Sequence, residues 1–336
     1  MDLDDFLRRE IDLGSFAGAS YAVGTSGGLE REGALGRAVS VPLRIAATTD
    51  TIYDCASITK PLITGMLVLQ AVAEGTIALD DEYRGFTYRE LLTHTSGLRA
   101  WLPLYAYDDY LEAIETHGRA APRGEQVIYS DLNFVLLYHA LQEIFGNYVR
   151  VARERILDPL SLHDARFHPS ALMRPRIAAT EWGQRFERVL RSRVERDVEE
   201  LHRQPACAHG ELRQSLMWGE TNDGNSFHAG GTCGNAGLFA TARDVFRIAQ
   251  AFARGELVLP ALVEEATRPH AEDRGLGWQL AGPGLSLRSY GHMGFTGTSV
   301  WVDGDRIMVL LTNRIHPCAA PIAMHRIRSE FHRRCI

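Results

Sequence analysis

Strand-forming segments lie near both ends of the chain, and helix-forming segments fill most of the middle. Near the start, residues 18–45 alternate in polarity and are broken at Gly27-Gly28, which predicts a pair of strands. Near the end, Ser299–Asp303 and Arg306–Thr312 flank a Gly304-Asp305 turn. This order predicts an antiparallel sheet built from both termini, flanked by helices, with a mainly helical inserted subdomain. The expected fold class is therefore α+β.

Seven segments have the apolar spacing and end signals of helices. They are residues 1–12, Ser57–Glu74 before Gly75, Tyr88–Thr95 before Gly97, Asp131–Phe145 before Gly146, the charged segment 183–203, residues 241–254 with Thr241 as the cap, and residues 320–334. The order predicts two subdomains. Residues 1–56 and 241–336 would surround the sheet, residues 57–240 would form the helical unit, and the active site would lie at their interface.

Composition and charge exclude several classes of protein. A chain of 336 residues that is 45% hydrophobic can bury a core, and a net charge of −6 gives no basic face for nucleic acid. The first residues, Met1–Asp5, lack the basic and apolar regions of a secretory signal, and the apolar run Pro61–Ala73 is too short to cross a bilayer. We therefore expect a cytoplasmic protein with no nucleic-acid partner and no membrane insertion. A periplasmic location stays open if a leader has been removed.

Cysteine and histidine spacing gives no pattern of a metal site. The five cysteines are scattered without a CxxC pair, which predicts reduced, structural thiols. The 13 histidines include no HxxxH or HxH spacing beside a carboxylate helix. We expect no metal and no other cofactor.

The chain has a single lysine, Lys60, among 36 basic residues. Arginine cannot give up its proton, whereas a lysine can when its pKa is lowered, so Lys60 is a candidate for proton chemistry. It follows Ser57 by three residues, and positions i and i+3 share one face of a helix. Its amine can then reach the Ser57 hydroxyl. If Ser57 opens the helix, the helix dipole favours a developing oxyanion and helps keep the pKa of the amine low.

Two further segments carry chemically useful groups. The first is Tyr129-Ser130-Asp131-Leu132-Asn133, just before a helix, where a phenol near an ammonium can shuttle a proton. The second runs from Gly291 to Gly297, and its glycines would let a strand edge lie against a substrate.

With these residues in place, the chain resembles the penicillin-recognising serine hydrolases. The closest pattern is the branch of class C β-lactamases, D-alanyl-D-alanine carboxypeptidases and family VIII carboxylesterases. The resembling stretches follow the family's order and are Ser57–Lys60, Leu91–Leu98, Tyr129–Asp131, Gly237–Ala242 and His292–Gly297. The resemblance implies a β-lactamase/transpeptidase-like fold and acyl transfer.

The resemblance also implies roles for individual residues. Ser57 would be the nucleophile that forms an acyl-enzyme, and Lys60 and Tyr129 would share the work of general base. The oxyanion hole would be the backbone amides of Ser57 and of Phe295, which follows His292-Met293-Gly294. His292 occupies the place where many relatives have lysine.

Departures from the family pattern leave several points open. Asp131 stands where the family typically has an amide side chain. Either the Asp131 carboxylate orients Lys60, or Asn133 does so instead. His292 is only partly cationic near neutral pH, which favours neutral esters or small amides over carboxylate-bearing substrates. Arg314 either supplies a fixed cation or forms a surface salt bridge.

An aromatic stretch follows the Thr95-Ser96-Gly97 turn. Trp101 and its neighbours Tyr105, Tyr107 and Tyr110 either line an acyl pocket, together with Trp278, or pack in the core.

The leading hypothesis is a serine hydrolase that acts on a small ester or amide. Carboxylesterase, D-Ala-type peptidase and β-lactamase activities remain alternatives within it. A non-catalytic scaffold of the same fold is the alternative from another class. The helix 183–203 is expected to be a solvated face, and the wider segment 183–230 to be a lid or an oligomer contact, so a homo-oligomer is also possible.

Overall fold

The computed structural model describes residues 2–197, 212–318 and 323–336. The strands are β1 (Gly18–Thr25), β2 (Gly28–Val39), β3 (Ile45–Ala46), β4 (Tyr53–Asp54), β5 (Glu82–Tyr83), β6 (Phe86–Thr87), β7 (Phe239–Ala240), β8 (Gln279–Leu280), β9 (Tyr290–Met293), β10 (Ser299–Asp303) and β11 (Arg306–Thr312). Seven of them form an antiparallel sheet in the order β3-β2-β1-β11-β10-β9-β8. The pairs β4–β7 and β5–β6 are separate two-stranded sheets.

The helices lie mostly between the two groups of strands. They are α1 (Leu3–Asp12), α2 (Met66–Ala73), α3 (Tyr88–Thr93), α4 (Tyr110–His117), α5 (Asp131–Phe145), α6 (Tyr148–Ala152), α7 (Arg185–Asp197), α8 (Gly224–His228), α9 (Ala242–Ala253), α10 (Pro260–Thr267) and α11 (Met324–Arg334). A 3₁₀ turn (Ala56–Ile58) and a π-helical stretch (Lys60–Gly65) lead into α2, and a second π stretch (Arg153–Leu157) extends α6. Further 3₁₀ turns span Leu104–Ala106 and Ala171–Arg176.

The prediction that both termini build one sheet is confirmed. Strand β1 pairs with β11 over seven residues, and Tyr21 lies opposite Leu310. The α+β class is confirmed as well. The division at residues 56/57 and 240/241 stays a prediction.

Side chains of the sheet alternate between two apolar cores. On β11, Ile307, Val309 and Leu311 enter the larger core beneath the helical part, while Met308 and Leu310 enter a smaller core with α1 and α11. This is the two-residue period of a strand buried on both faces. The sheet is therefore covered on both sides.

The helical run behind Ser57 is longer than the apolar pattern indicated. Ala56–Ala73 is a continuous helical stretch of 18 residues, long and apolar enough to cross a membrane by length and composition alone. The argument that this run is too short was therefore wrong. In the structure 83% of this stretch is buried inside the protein, as expected of a core helix in the larger apolar core.

The charged segment is not simply a solvated face. Within the described residues α7 runs from Arg185 to Asp197, and residues 198–203 lie outside them. Phe186 and Val189 are partly exposed, but Glu187 is only 8% exposed. One of the buried side chains of α7 is therefore a carboxylate, which the expectation of a solvated face did not include.

Candidate active site

Ser57 sits on a strained turn that a buried carboxylate holds in place. Ala56, directly before it, has φ of 47°, a left-handed conformation that is rare for a residue with a side chain. The Asp54 carboxylate accepts hydrogen bonds from the Ala56 amide (2.9 Å) and the Asn222 amide (2.7 Å). Burial raises the pKa of Asp54 to about 6. Sequence reasoning missed Asp54, because the Asn222 amide that donates a hydrogen bond to it lies 168 residues away in the chain.

The predicted contact between Ser57 and Lys60 is present. The Nζ of Lys60 lies 3.0 Å from Ser57 Oγ, 3.0 Å from the Asn235 carbonyl and 2.6 Å from Asp131 Oδ1. The Lys60 side chain is completely buried. The ammonium group thus donates two hydrogen bonds and lies in an ion pair with a carboxylate.

The charge state of Lys60 differs from the expectation. Burial pulls the pKa of its amine down, but the negative charge of Asp131, assisted by Tyr129, outweighs burial and raises the pKa above the usual value. The expectation that the site keeps this pKa low was therefore wrong. Lys60 rests as an ammonium ion paired with Asp131.

Tyr129 lies beside both groups. Lys60 Nζ is 5.2 Å from the centre of the Tyr129 ring, and the phenol hydrogen-bonds with Ser57 and Lys60. Burial raises the pKa of Tyr129 more than the charge of Lys60 lowers it. The phenol is therefore neutral at rest and able to donate or relay a proton.

Asn133 does not orient Lys60. Its side chain bonds instead with Ser96 (2.6 Å) and with His94 Nδ1 (3.1 Å), behind the site. Asp131 is the residue that meets the lysine, so of the two alternatives Asn133 is the wrong one. The physical reason is that residues two apart on α5 point in different directions. His94 also accepts a hydrogen bond from the Ser130 amide (3.0 Å), and its ring packs at a tilt 4.7 Å from the Tyr129 ring, so it positions this loop.

The loop after β9 is tied directly to the turn that carries Ser57. Thr298 Oγ1 donates to the Cys55 carbonyl (2.9 Å) and Thr296 Oγ1 donates to the Asp54 carbonyl (2.8 Å). Gly294 has no room for a side chain, since a Cβ there would collide with Thr298 and Cys55. The amide of Phe295 makes no hydrogen bond to another residue that the structure describes. It is thus free to act as a donor beside Ser57.

His292 is neutral, not partly cationic as expected. It is 3% exposed, and burial first, then the charges of Lys60 and Arg274, hold its pKa well below the usual value. Its ring lies 5.7 Å from that of Tyr129, and its Nδ1 is 2.9 Å from the Met293 carbonyl. His292 therefore supplies no positive charge for a substrate.

Two arginines bring positive charge to the same loop. Arg314 Nε donates to the Phe295 carbonyl (2.6 Å), and Arg328 donates to the carbonyls of Gly294 (2.5 Å) and Thr298 (3.0 Å). Neither has an ion-pair partner among the described residues, so the alternative that Arg314 forms a surface salt bridge was wrong. Burial, assisted by the charge of Arg314, lowers the pKa of Arg328 to about 9. No local sequence signal marked Arg328, because only the packing of α11 brings it to the loop.

These groups share one cleft of about 620 Å³. Of the predicted site residues, those that line it are Ser57, Trp101, Tyr129, Asp131, His292, Gly294, Phe295 and Arg314. Lys60 and Asn133 lie behind its wall. Trp278 does not join it, because its ring packs against Phe252 (4.9 Å) in the core. Tyr105, Tyr107 and Tyr110 are likewise outside the lining, so only Trp101 of that aromatic stretch contributes.

A second wall of the cleft comes from segments that the sequence analysis did not assign to the site. It includes Glu181, Phe186, Glu187 and Leu190 from the region of α7, together with Asn222 and Asp223 before α8. The Phe186 ring lies 4.4 Å from the Phe295 ring, so α7 contacts the loop after β9. Their only signal was the run of charge around residue 187, which is typical of solvent-facing helices.

Comparison with known proteins identifies similar chains along the whole length. The beta-lactamase family model matches residues 3–329. A putative D-alanyl-D-alanine carboxypeptidase of Escherichia coli K12 is 29% identical, over 82% of this chain and 72% of that protein.

Solved structures share the fold. A D-amino acid amidase from Ochrobactrum anthropi SV3 superposes with a TM-score of 0.70 at 19% identity, over 99% of this chain and 98% of that one. EstCE1, a hydrolase with promiscuous acyltransferase activity, superposes with a TM-score of 0.75 at 16% identity, over 99% and 97%.

Proposed function

This chain belongs to the beta-lactamase family of serine hydrolases, and on that premise we propose that it cleaves a small ester or amide through an acyl-enzyme on Ser57. The observation that carries the proposal is the buried Lys60 ammonium 3.0 Å from Ser57 Oγ. In the first step the Ser57 oxygen bonds to the substrate carbonyl carbon, and the bond to the leaving group then breaks. In the second step water attacks the acyl group and releases Ser57.

Lys60 and Tyr129 share the movement of the proton in this proposal. Because Lys60 rests as an ammonium ion, it must lose a proton before it can accept one from Ser57, and the Asp131 carboxylate at 2.6 Å holds the amine in place. Tyr129, in contact with both Ser57 and Lys60, then passes its proton to the leaving group and regains one from the Lys60 ammonium, which has taken the proton of Ser57. Asp131 therefore acts through Lys60 as a positioning residue and counter-ion.

The developing oxyanion would be held by the amides of Ser57 and Phe295. Loss of one such donor typically costs about 3–4 kcal/mol of transition-state stabilisation. The threonine hydrogen bonds from the Phe295 loop to Asp54 and Cys55 support this role, because they fix the two amides relative to each other.

A second candidate is a substrate that carries a carboxylate, as β-lactams and D-Ala-D-Ala peptides do. Arg314 and Arg328 favour it, since both bring unpaired positive charge to the loop of Phe295. Rates with p-nitrophenyl butyrate, nitrocefin and a D-Ala-D-Ala peptide would separate the neutral from the anionic class.

A fluorophosphonate probe tests the nucleophile directly. We expect it to label the wild type and to spare Ser57→Ala, with matched circular dichroism spectra for the two proteins. Equal labelling of both would remove Ser57 from the mechanism. Absence of labelling in the folded wild type would favour the non-catalytic scaffold.

A further inference from the structure

Asp54, behind the nucleophile, hydrogen-bonds with three segments that surround the cleft. One oxygen of its carboxylate accepts from the Ala56 amide (2.9 Å) in the turn that carries Ser57, and the other accepts from the Asn222 amide (2.7 Å) on the second wall. The Asp54 carbonyl accepts from Thr296 Oγ1 (2.8 Å) on the loop after β9. Asp54 is 2% exposed and does not line the cleft. It therefore contacts the backbone around the cleft and leaves contact with a substrate to other residues.

The two groups that meet the Asp54 side chain are both N–H donors. An ionised carboxylate only accepts hydrogen bonds and has two oxygens, so it satisfies both amides. An asparagine in its place would have one acceptor oxygen, and its NH₂ group would face the second N–H donor. A buried donor without an acceptor is costly. The two amides therefore explain why a carboxylate stands at a buried position, where its charge is costly.

The backbone between Asp54 and Ser57 needs this support. Ala56 has φ of 47°, a conformation that a residue with a Cβ keeps only where its surroundings enforce it. The Cys55–Ala56 peptide group is held at both ends, because its N–H donates to Asp54 and its carbonyl accepts from Thr298 Oγ1 (2.9 Å). With this peptide group fixed, the conformation of Ala56 sets the direction of the next amide in the chain, which is that of Ser57.

We propose that Asp54 is a positioning residue that keeps the Ser57 amide in the oxyanion hole by holding Ala56 in its left-handed conformation. The inference rests on the proposed function, since this amide matters only if an oxyanion forms on the substrate that Ser57 attacks. Such a residue acts on the transition state and not on the bound substrate. Its loss should therefore appear in kcat and leave KM nearly unchanged.

The test is Asp54→Asn, which keeps the shape of the side chain and removes one acceptor. With p-nitrophenyl butyrate, kcat should fall by about 10- to 100-fold, less than for complete loss of an oxyanion donor, because the Ser57 amide is displaced and not removed. KM should change by less than about twofold. Acylation and deacylation both pass through an oxyanion, so kcat reports on the hole whichever step is slower.

Ala56→Gly tests the route through Ala56. Glycine adopts left-handed conformations without the penalty of a Cβ. Adding Ala56→Gly to Asp54→Asn should therefore raise kcat by about threefold or more, although it does not restore the hydrogen bond. If Asp54→Asn alone does not fold, the double variant is compared with Ala56→Gly, and kcat should be lower in the double variant.

Two other exchanges of a carboxylate for an amide, both outside the cleft lining, are the controls. Asp244 is 8% exposed and accepts from the Thr241 amide (3.1 Å), so Asp244→Asn changes a buried acceptor of the backbone away from the cleft. Glu125→Gln changes an exposed carboxylate. Both should keep the kcat of the wild type, while urea unfolding should show a loss of stability in Asp244→Asn alone.

The outcomes separate this role from the proposed function. An unchanged kcat in folded Asp54→Asn, a loss confined to KM, an equal loss of kcat in Asp244→Asn, or no gain from adding Ala56→Gly would overturn the positioning role. Equal kcat in the double variant and Ala56→Gly would do the same. If the fluorophosphonate probe still labels Ser57 of the wild type, the proposed function survives each of these results. If the wild type is not labelled, the proposed function itself fails.

Discussion

The two walls of the cleft surround their buried charged groups with different partners. On the Ser57 wall, the Lys60 ammonium has two hydrogen-bond acceptors and the Asp131 carboxylate at 2.6 Å. On the α7 wall, Glu187 is buried close to Asp223, another carboxylate, and burial together with that charge raises its pKa to about 7. Buried charges are tolerated when they are paired and costly when they are not. The first wall holds a buried cation beside a carboxylate, whereas the second holds two buried carboxyl groups close together.

The loop after β9 joins the two walls. Its backbone is bonded to the Ser57 turn through Thr296 and Thr298, and its Phe295 ring touches Phe186 of α7. A change on either wall that moves this loop should therefore affect catalysis, while a change confined to one wall should affect only the property assigned to it.

The largest effect is expected from Lys60→Arg. Arginine keeps the positive charge but cannot release a proton, so kcat for a chromogenic ester should fall by about 10²–10⁴-fold. Circular dichroism should confirm that the variant is folded. Arg37→Lys is the control for a lysine–arginine exchange outside the site, and it should leave kcat unchanged. A kcat equal to that of the wild type would remove Lys60 from proton transfer.

The next effect is expected from Gly294→Ala. The added methyl group would meet Thr298 and the Cys55 carbonyl, and the loop must move away from Ser57 to make room. Overpacking of this kind costs about 1–3 kcal/mol of stability, and displacement of one oxyanion donor costs about 3–4 kcal/mol in the transition state. Steady-state kinetics should show the fall in kcat.

Gly28→Ala is the matched control for that variant, because a Cβ at position 28 meets nothing within 4 Å. It should leave kcat unchanged. Equal activity in the two alanine variants would show that the close approach of the loop to Ser57 has no catalytic role.

The centre of the Ser57 wall was predictable because the contact between Ser57 and Lys60 is local. Ser57 and Lys60 are three residues apart, so helical geometry alone brings them together. Helix α5 begins and ends where its sequence signals indicate, at Asp131 and before Gly146. The family pattern left Asp131 and Asn133 as alternatives for orienting Lys60, and the sequence could not say which one does so.

The α7 wall could not be predicted, because it depends on contacts between distant segments. Glu187 is buried by Gly224, 37 residues later, and a charged helix gives no local sign of this. Arg328 reaches the Phe295 loop only through the packing of α11. The charge state of Lys60 was mispredicted for a related reason, since the local helix dipole was weighed but the distant Asp131 carboxylate outweighs it.

A smaller effect, on the Ser57 wall, is expected from Asp131→Asn. Removing the counter-ion of a buried ammonium should destabilise the protein by about 3 kcal/mol, the lower end for a broken buried pair, because Asp131 is one-fifth exposed. It should also lower the pKa of Lys60, since burial then acts without an opposing carboxylate.

The acidic limb of the kcat/KM profile of Asp131→Asn should therefore move to lower pH. Urea unfolding and a pH–rate profile measure the two effects. A limb that stays in place would mean that Lys60 is not the group that must lose a proton.

The smallest effect is a difference in how stability depends on pH between wild type and Glu187→Gln. The pKa of Glu187 is 4.5 when unfolded and about 7 when folded, so the folded state binds more protons between those values. Its contribution therefore falls as pH rises from 4.5 to 7, by at most about 3 kcal/mol. Urea unfolding across that window should show this fall in the wild type and in Glu125→Gln, and a flatter curve in Glu187→Gln. Parallel curves for all three would mean that the α7 wall holds no uncompensated carboxylate, and the contrast between the two walls would be lost.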